Sequence, residues 1–243
     1  MYASHDAALV SLQSVGAQSG LHLDIRFCGS LDAIASLNAG RCTVAGFHAL
    51  PHPAPGSTVQ LAYQPLLRPG LHKIIGFARR RQGLVVARGN PLSIRSFGDL
   101  PRSGARYVNR ALGTGTRLLA EDLLAQAELH PDDVDGWNST EPSHAAVVQA
   151  VASGSADAGL AIEAAVQAHS LSFVPLVEED YSLVCLKSVL DEPPVLALRA
   201  LLASPAWVQA LSTLAGYVPH RPGEVLSLTE QFPWWRFARR TPR

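Results

Sequence analysis

Strand-like and helix-like runs of apolar residues alternate along this chain almost from end to end, and that alternation narrows the fold more than any other feature. Leu9, Leu12, Val15 and Gly16 recur at helical spacing over residues 7–18, with Ser4 or Asp6 as the cap. Residues 21–27 alternate as a strand, Gly29-Ser30 opens a helix through Leu37 that Gly40 closes, and residues 43–47 form a buried strand ending at His48. After the Pro-rich loop at 51–56 comes a helical or irregular segment up to Leu67. Residues 73–77 and 82–87 read as strands on either side of Arg79-Arg80-Arg81. Residues 96–100 form a helical turn, 105–109 a strand, and the helix that begins near Leu118 ends near Leu129. Pro142 takes the first position of a further helix, which Gly154 closes. Residues 156–162, 173–177 and 181–186 are strands, 163–169 a helix, and the remainder is helical around 193–204 and 205–215. This order predicts an α/β fold with mostly parallel sheets flanked by helices.

Two lobes suit this order better than one sheet. The strands at 73–77 and 82–87 are almost continuous, as in a chain crossing between lobes, and a second crossing falls near 178–181. The expected division is residues 1–79 in lobe I, 80–181 in lobe II and 182–243 returning to lobe I. Strand ends from both lobes would then converge on one cleft, the usual ligand position in open α/β sheets.

The stretch Asn109-Arg110-Ala111-Leu112-Gly113-Thr114-Gly115-Thr116-Arg117 concentrates the chemistry. It sits between a strand and a helix N-terminus, where first-turn amides are unpaired and the helix dipole favours negative charge. Gly113 and Gly115 let backbone approach a ligand, Thr114 and Thr116 offer hydroxyls, Asn109 an amide, and Arg110 and Arg117 planar charged forks. At least one arginine is expected to point inward. Ser4, Gly29-Ser30 and Ser143-His144 mark three more helix starts able to face the same cleft, although each hydroxyl is equally suited to plain N-capping.

His48, at a strand end, is placed to line the cleft, and Tyr181 either reaches the ligand or packs the hinge. Ser4-His5-Asp6 is no catalytic relay, because consecutive side chains diverge. Pro51 and Pro53 deny His48 and His52 the helix that would align them on a metal. Glu141 would repel a free anion, so it caps, pairs with arginine or faces away; Asp157 reads as a structural turn residue, and Trp234 and Trp235 as cover for a lobe or an interface.

With 20 basic and 20 acidic side chains among 243 residues, the formal charge is zero, which argues against a broad nucleic-acid surface in this segment. Arg79-Arg80-Arg81 reads as a solvated hinge, and Arg236, Arg239, Arg240 and Arg243 as a frayed terminus. Cys28, Cys42 and Cys185 look like small buried hydrophobes, which fits a reducing compartment. No apolar run reaches the roughly 18 residues needed to span a bilayer. The opening Met1-Tyr2-Ala3 is already strand-like and suggests a natural start further upstream.

The ordered set Gly29-Ser30, Ala45-Gly46-Phe47-His48, Tyr107-Val108-Asn109-Arg110, Gly113–Arg117, Glu141-Pro142-Ser143-His144, Ala156-Asp157-Ala158-Gly159 and Leu176-Val177-Glu178-Glu179-Asp180-Tyr181 resembles a known family. It is the periplasmic-binding-protein-like domain often fused behind a winged helix-turn-helix in molybdate-type bacterial regulators; the set is similar, more distantly, to type II solute-binding proteins for molybdate and tungstate. The resemblance implies two α/β lobes closing on a small anion, with oxyanions such as molybdate or tungstate foremost, no cofactor and no catalysis. It also implies a cytoplasmic effector domain whose DNA-binding partner segment lies outside this chain; a dimer is compatible with it. The alternatives are a periplasmic transport receptor, if a signal peptide precedes Met1, and an enzyme acting on a small anionic or cofactor-precursor ligand.

Overall fold

In the computed structural model, which describes residues 1–235, the strand–helix alternation appears as two series joined by two long strands. The first series is β1 (Tyr2–Ala3), α1 (Ala7–Gln18), β2 (Arg26–Phe27), α2 (Ser30–Asn38), β3 (Val44–Ala49) and α3 (Thr58–Tyr63). The chain leaves it along β4 (His72–Val86) and builds α4 (Asp99–Ser103), β5 (Tyr107–Arg110), α5 (Gly115–Gln126), β6 (Thr140–Glu141), α6 (His144–Ala152), β7 (Ala158–Ile162) and α7 (Glu163–Val166). It returns along β8 (Ser172–Leu186) to α8 (Pro193–Leu202), α9 (Pro205–Ser212), β9 (Tyr217–Pro219), β10 (Val225–Leu226) and α10 (Leu228–Gln231).

The sheet order is β2-β1-β3-β8-β4-β7-β5-β6, with β9 and β10 also pairing β4. At the two flanks β1 is parallel to β2 and β3, and β5 is parallel to β6 and β7. The antiparallel pairings come from β4 and β8, which carry the chain between lobes. One half of β4 pairs β9 and β10, and its other half, from Gln82 to Val86, pairs β7. Each lobe has its own core: Leu9, Phe77 and Trp207 belong to one, and Tyr107, Leu119 and Trp137 to the other.

Several sequence expectations shift for identifiable reasons. The strands expected at 73–77 and 82–87 are one strand, and those at 173–177 and 181–186 another. Arg79, Arg80 and Arg81 lie opposite Asp180, Glu179 and Glu178 in antiparallel register, so opposite charges face each other and the polar run does not break either strand. The segment 21–27 contributes only Arg26–Phe27, because its one partner, β1, is two residues long; Leu21, Leu23 and Ile25 pack against the core instead. Helix α5 starts at Gly115, ahead of Leu118, because the Thr114 hydroxyl accepts from the Arg117 amide. Pro142 lies outside its helix: Ser143 is the N-cap, accepting from the Ala146 amide at 3.0 Å, and His144 is the first helical residue. Asp6, rather than Ser4, caps α1. Trp234 and Trp235 pack on Phe232 against the first lobe, and the four arginines of the basic tail lie outside the described residues.

Candidate ligand site

The two lobes meet where helix N-termini face one another. Gly29 caps α2 in lobe I and abuts the lobe II loop: a Cβ placed on it would lie 2.7 Å from the Gly113 carbonyl oxygen, and the Leu31 amide donates to that oxygen at 3.3 Å. Gly115, first residue of α5, lies against the His48 ring, which a Cβ there would meet at 2.6 Å. The Thr58 amide of lobe I donates to Asp122 of α5 at 2.7 Å. Ser4 and Ser30, both buried, share a hydroxyl hydrogen bond of 3.2 Å beside this junction.

Behind the junction lies a buried charge cluster carried by the two crossing strands. Strand side chains alternate between faces, so Arg80, Gln82 and Glu179 share one face of the sheet while Arg79 and Asp180 share the other. Arg80 Nε and Gln82 Nε2 each donate to Glu179 Oε1 at 2.6 Å, and His48 Nδ1 lies 2.7 Å from Glu179 Oε2. Arg80 Nη1 donates to Asp6 Oδ2, which also accepts from the Tyr217 hydroxyl at 2.6 Å. Asp6 Oδ1 accepts the Ala8 amide at 2.7 Å. The Arg80 guanidinium lies 4.7 Å from the centre of the Tyr181 ring.

Burial and neighbouring charge together set the protonation of this cluster. Burial pushes the Glu179 carboxyl up, but His48, Arg80 and the hydrogen bond from Gln82 outweigh it and hold it down to about 2. Burial lowers His48 below its ordinary value against the opposing pull of Glu179, so a neutral imidazole donating Nδ1–H to the carboxylate describes the pair. His144 is lowered further, by burial first and then by Arg110, Arg80 and His48, which places it in the same field. Burial, then Arg80, pushes Arg110 down to about 10. Two carboxylates and two guanidiniums therefore balance in the interior. The carboxylate oxygens are engaged by protein donors, while Arg80 Nη2, Arg110 Nε, His144 Nδ1, Tyr181 OH and Gln82 Oε1 are buried without a partner among the described residues. Among the described residues no group of three or more His, Cys, Asp or Glu is placed to hold a metal ion.

The expected site residues divide accordingly. His48, Arg110, His144 and Tyr181 come together around the cluster, Ser4 and Ser30 pair with each other beside the junction, and Gly29, Gly113 and Gly115 form the junction between lobes. Asn109 is occupied inside its own loop, donating to the Trp137 carbonyl and accepting from the Arg110 amide. Thr114 and Ser143 are N-caps, and Thr116 is buried in the first turn of α5. Arg117 turns into lobe II, pairing with Glu121 at 2.8 Å, donating to the Trp137 carbonyl and lying 4.7 Å from the Trp137 ring centre. Arg110 instead lies buried in the field of Arg80, with an Nη1 bond of 2.8 Å to the Glu141 carbonyl.

Arg80 overturns the solvated-hinge reading: it is 1% exposed, because Asp6 and Glu179 neutralise it inside. Of the cysteines only Cys185 is fully buried. Asp157 serves its turn as expected, paired with Arg106 at 2.9 Å, and His5 turns from Ser4 and Asp6 to pack against the Phe27 ring, centroids 4.7 Å apart and tilted at 54°.

As site residues, sequence reasoning missed Asp6, Arg80 and Glu179, which it named only in other roles, and it did not single out Gln82 or Tyr217. One signal was available. Arg79-Arg80-Arg81 and Glu178-Glu179-Asp180 are runs of equal length and opposite sign, each within a segment expected to cross between lobes.

Two α/β lobes joined by two long strands, with a buried polar site where they meet, define a two-lobed ligand-binding domain of the periplasmic-binding-protein (PBP) kind. The chain belongs to the PBP superfamily domain family, whose profile matches residues 13–203. It is 31% identical over 206 residues to the uncharacterized protein YvgK of Bacillus subtilis, a match covering 83% of this chain and 64% of that protein's length. It thus spans just under two thirds of that relative. In fold it is similar to a protein described as a phosphate ABC transporter substrate-binding protein from Clostridium perfringens, solved with bound phosphate. That likeness has a TM-score of 0.65 at 12% identity and covers 90% of this chain and 99% of the other. It is similar also to the tungstate ABC transporter from Geobacter sulfurreducens, at a TM-score of 0.60 and 13% identity, covering 88% and 97% of the two chains.

Proposed function

We propose that this chain is a non-catalytic receptor domain that closes on a small tetrahedral oxyanion, the class that includes molybdate, tungstate and phosphate. The observation that carries the reading is the leftover inventory of the buried cluster. Asp6 and Glu179 are engaged by the protein's own donors, while two of the unpartnered atoms are guanidinium nitrogens that can only donate and two more, Tyr181 OH and His144 Nδ1, are able to donate. A buried donor without a partner costs about 1–3 kcal/mol, and an oxyanion among these groups would recover that cost. The similar folds that carry phosphate and tungstate in their descriptions support the same class. In this reading the lobes hinge where β4 and β8 cross, near residues 79–81 and 178–181, and the anion stabilises the closed form by binding it better than the open one.

The domain's output, in this proposal, is to a DNA-binding segment of a cytoplasmic transcriptional regulator, as the resemblance to molybdate-type regulators implies. A periplasmic receptor delivering its anion to a permease is the second reading, favoured by the likeness to transporter-associated proteins. Calorimetry and thermal melting with molybdate, tungstate, phosphate and sulfate test the receptor itself. Micromolar binding of at least one, with a rise in melting temperature, is expected; no stabilisation by any of them at millimolar concentration would remove the proposal. Anion-dependent binding of the full-length protein to DNA from upstream of its own gene separates regulator from transport receptor.

A further inference from the structure

Helix α5 belongs to both lobes. Its residues from Gly115 to Ala120 are all buried, as in a helix packed on more than one side. Leu119, Ala120 and Leu124 lie in the core of lobe II, while Leu118 lies in an apolar cluster of lobe I with Phe47, Val59 and Tyr63. Gly115, Leu118 and Asp122 form one stripe along the helix, and each meets lobe I. Gly115 meets the His48 ring, Leu118 that cluster, and Asp122 Oδ1 the Thr58 amide at 2.7 Å. Thr58 is the first residue of α3, whose cap, Ser57, accepts from the Gln60 amide, so the Thr58 amide needs another acceptor. The Asp122 carboxylate supplies it from across the cleft. At the other end of α3 the Tyr63 hydroxyl donates to the His48 carbonyl at 3.0 Å, so α3 and His48 meet α5 as one surface.

These contacts favour closure with or without a ligand. Closing on an empty site, by contrast, takes water from Arg80 Nη2, Arg110 Nε and His144 Nδ1, which have no partner among the described residues. The two effects oppose each other, and an anion that pairs with the donors tips the balance. We infer that α5 is the latch of the receptor and that Asp122, which bonds none of the cluster's side chains, sets anion affinity by capping α3 across the cleft. The inference rests on the reading of the site as an anion receptor and adds the device that closes it. Apparent affinity falls with the fraction of molecules in the binding-competent state, so a weaker latch loosens every anion by one factor. Charge alone predicts the reverse, because deleting a carboxylate would tighten anion binding.

Calorimetry with phosphate, sulfate, molybdate and tungstate on the whole chain and three variants tests the latch. Asp122→Ala removes the acceptor. Thr58→Pro removes the donor from the other lobe, at a first helical position that suits proline and behind an extended Ser57. Asp122→Asn removes the charge and keeps a capping oxygen. The first two should each weaken every anion that binds by the same factor, about fivefold to tenfold. The double variant should lose no more than either single one, because donor and acceptor make one bond. Asp122→Asn should stay within about twofold of the parent. A merely structural role would lower the melting temperature and leave affinity alone. Should one variant fail to fold, its counterpart on the other lobe decides. Unchanged or tighter binding in Asp122→Ala or Thr58→Pro, losses that add in the double variant, or an Asp122→Asn as weak as Asp122→Ala overturns the latch and leaves the receptor standing. If no anion binds the parent, the receptor reading falls, and hydrogen exchange in the anion-free protein judges the latch. The Leu31 amide, bonded across the junction to the Gly113 carbonyl, should exchange faster in Asp122→Ala than in the parent; an equal rate overturns the latch as well.

Discussion

Arg80 and Glu179 face each other in register across the two strands that join the lobes, and their side chains meet at 2.6 Å in the buried interior. The segment that must bend if the lobes move is therefore the segment that carries the central ion pair of the candidate site. The rungs on either side differ. Arg79 meets Asp180 at 2.7 Å on the opposite, partly exposed face, and Arg81 turns from its register partner Glu178 to pair with Glu163 at 2.8 Å. A ladder with one buried rung between two wetter ones links site chemistry to hinge geometry.

The ladder predicts unequal costs for neighbouring arginines. Arg80→Met strands Asp6 and Glu179 as buried charges without their cation, a defect worth about 3–5 kcal/mol. Arg79→Ala removes a partly exposed pair and leaves Asp180 with Gln231 Nε2 at 3.1 Å, so its cost should stay within about 1 kcal/mol. Urea unfolding of the two variants beside the parent checks this. Equal losses would mean that Arg80 is not neutralised inside as described.

Acid should destabilise the fold in two stages. His48 and His144 lie below their ordinary 6.5 in the folded chain, mainly through burial, so as pH falls through 6.5 the unfolded chain takes up protons that the folded chain refuses. Glu179, whose burial is outweighed by His48 and Arg80, falls from an ordinary 4.5 to about 2, so the same imbalance reappears below 4.5. In all three cases the unfolded state binds more protons, and stability declines with pH. Denaturation midpoints should hold above pH 6.5, drop between 6.5 and 4.5, and drop again below 4.5. His144→Gln should flatten the first drop and spare the second; an unchanged first drop would take His144 out of that account.

How much of this was legible in the sequence depends on the range of the interaction. Caps and helix starts are local: the starts behind Asp6, Gly29, Thr114 and Ser143 follow from residue type within a few positions, although Pro142 and Leu118 mislead because a cap outranks the first favourable residue behind it. The α/β order is likewise carried by local periodicity. The Arg80–Glu179 pair joins residues 99 positions apart through strand register, which no local window contains. Each run alone, basic or acidic, resembles a solvated surface, and only their opposition buries the central rung. Similarly, the helical phase that sends Arg117 onto Trp137, leaving Arg110 for the cluster, depends on where α5 packs.

That division between the two loop arginines is open to measurement. Arg110→Ala removes a buried guanidinium whose Nε has no partner among the described residues and should weaken oxyanion binding about tenfold or more. Arg117→Ala removes a cation–π contact and an ion pair within lobe II. It should lower thermal stability by about 1–2 kcal/mol while changing affinity less than Arg110→Ala does. Titration of both variants with phosphate and tungstate settles the assignment, and the reverse ranking would place Arg117 at the ligand.

The junction glycines provide the sharpest test of closure. Gly29 has an ordinary backbone conformation, φ −64°, and Gly115 opens a helix, so alanine is compatible with the backbone at both positions. The obstacles lie across the cleft: the Gly113 carbonyl 2.7 Å from a Cβ on residue 29, and the His48 ring 2.6 Å from one on residue 115. If the lobes separate at this junction when no anion is bound, these contacts are lost and the added methyl no longer meets the other lobe. Gly29→Ala and Gly115→Ala should therefore melt within a few degrees of the parent in the absence of anion, yet lose about 1–3 kcal/mol of oxyanion affinity, as expected for overpacking a tight contact. Small-angle scattering should show the parent compacting when anion is added and the variants failing to do so. Undiminished affinity and compaction in both would show that the ligand-bound form does not bring these two surfaces together.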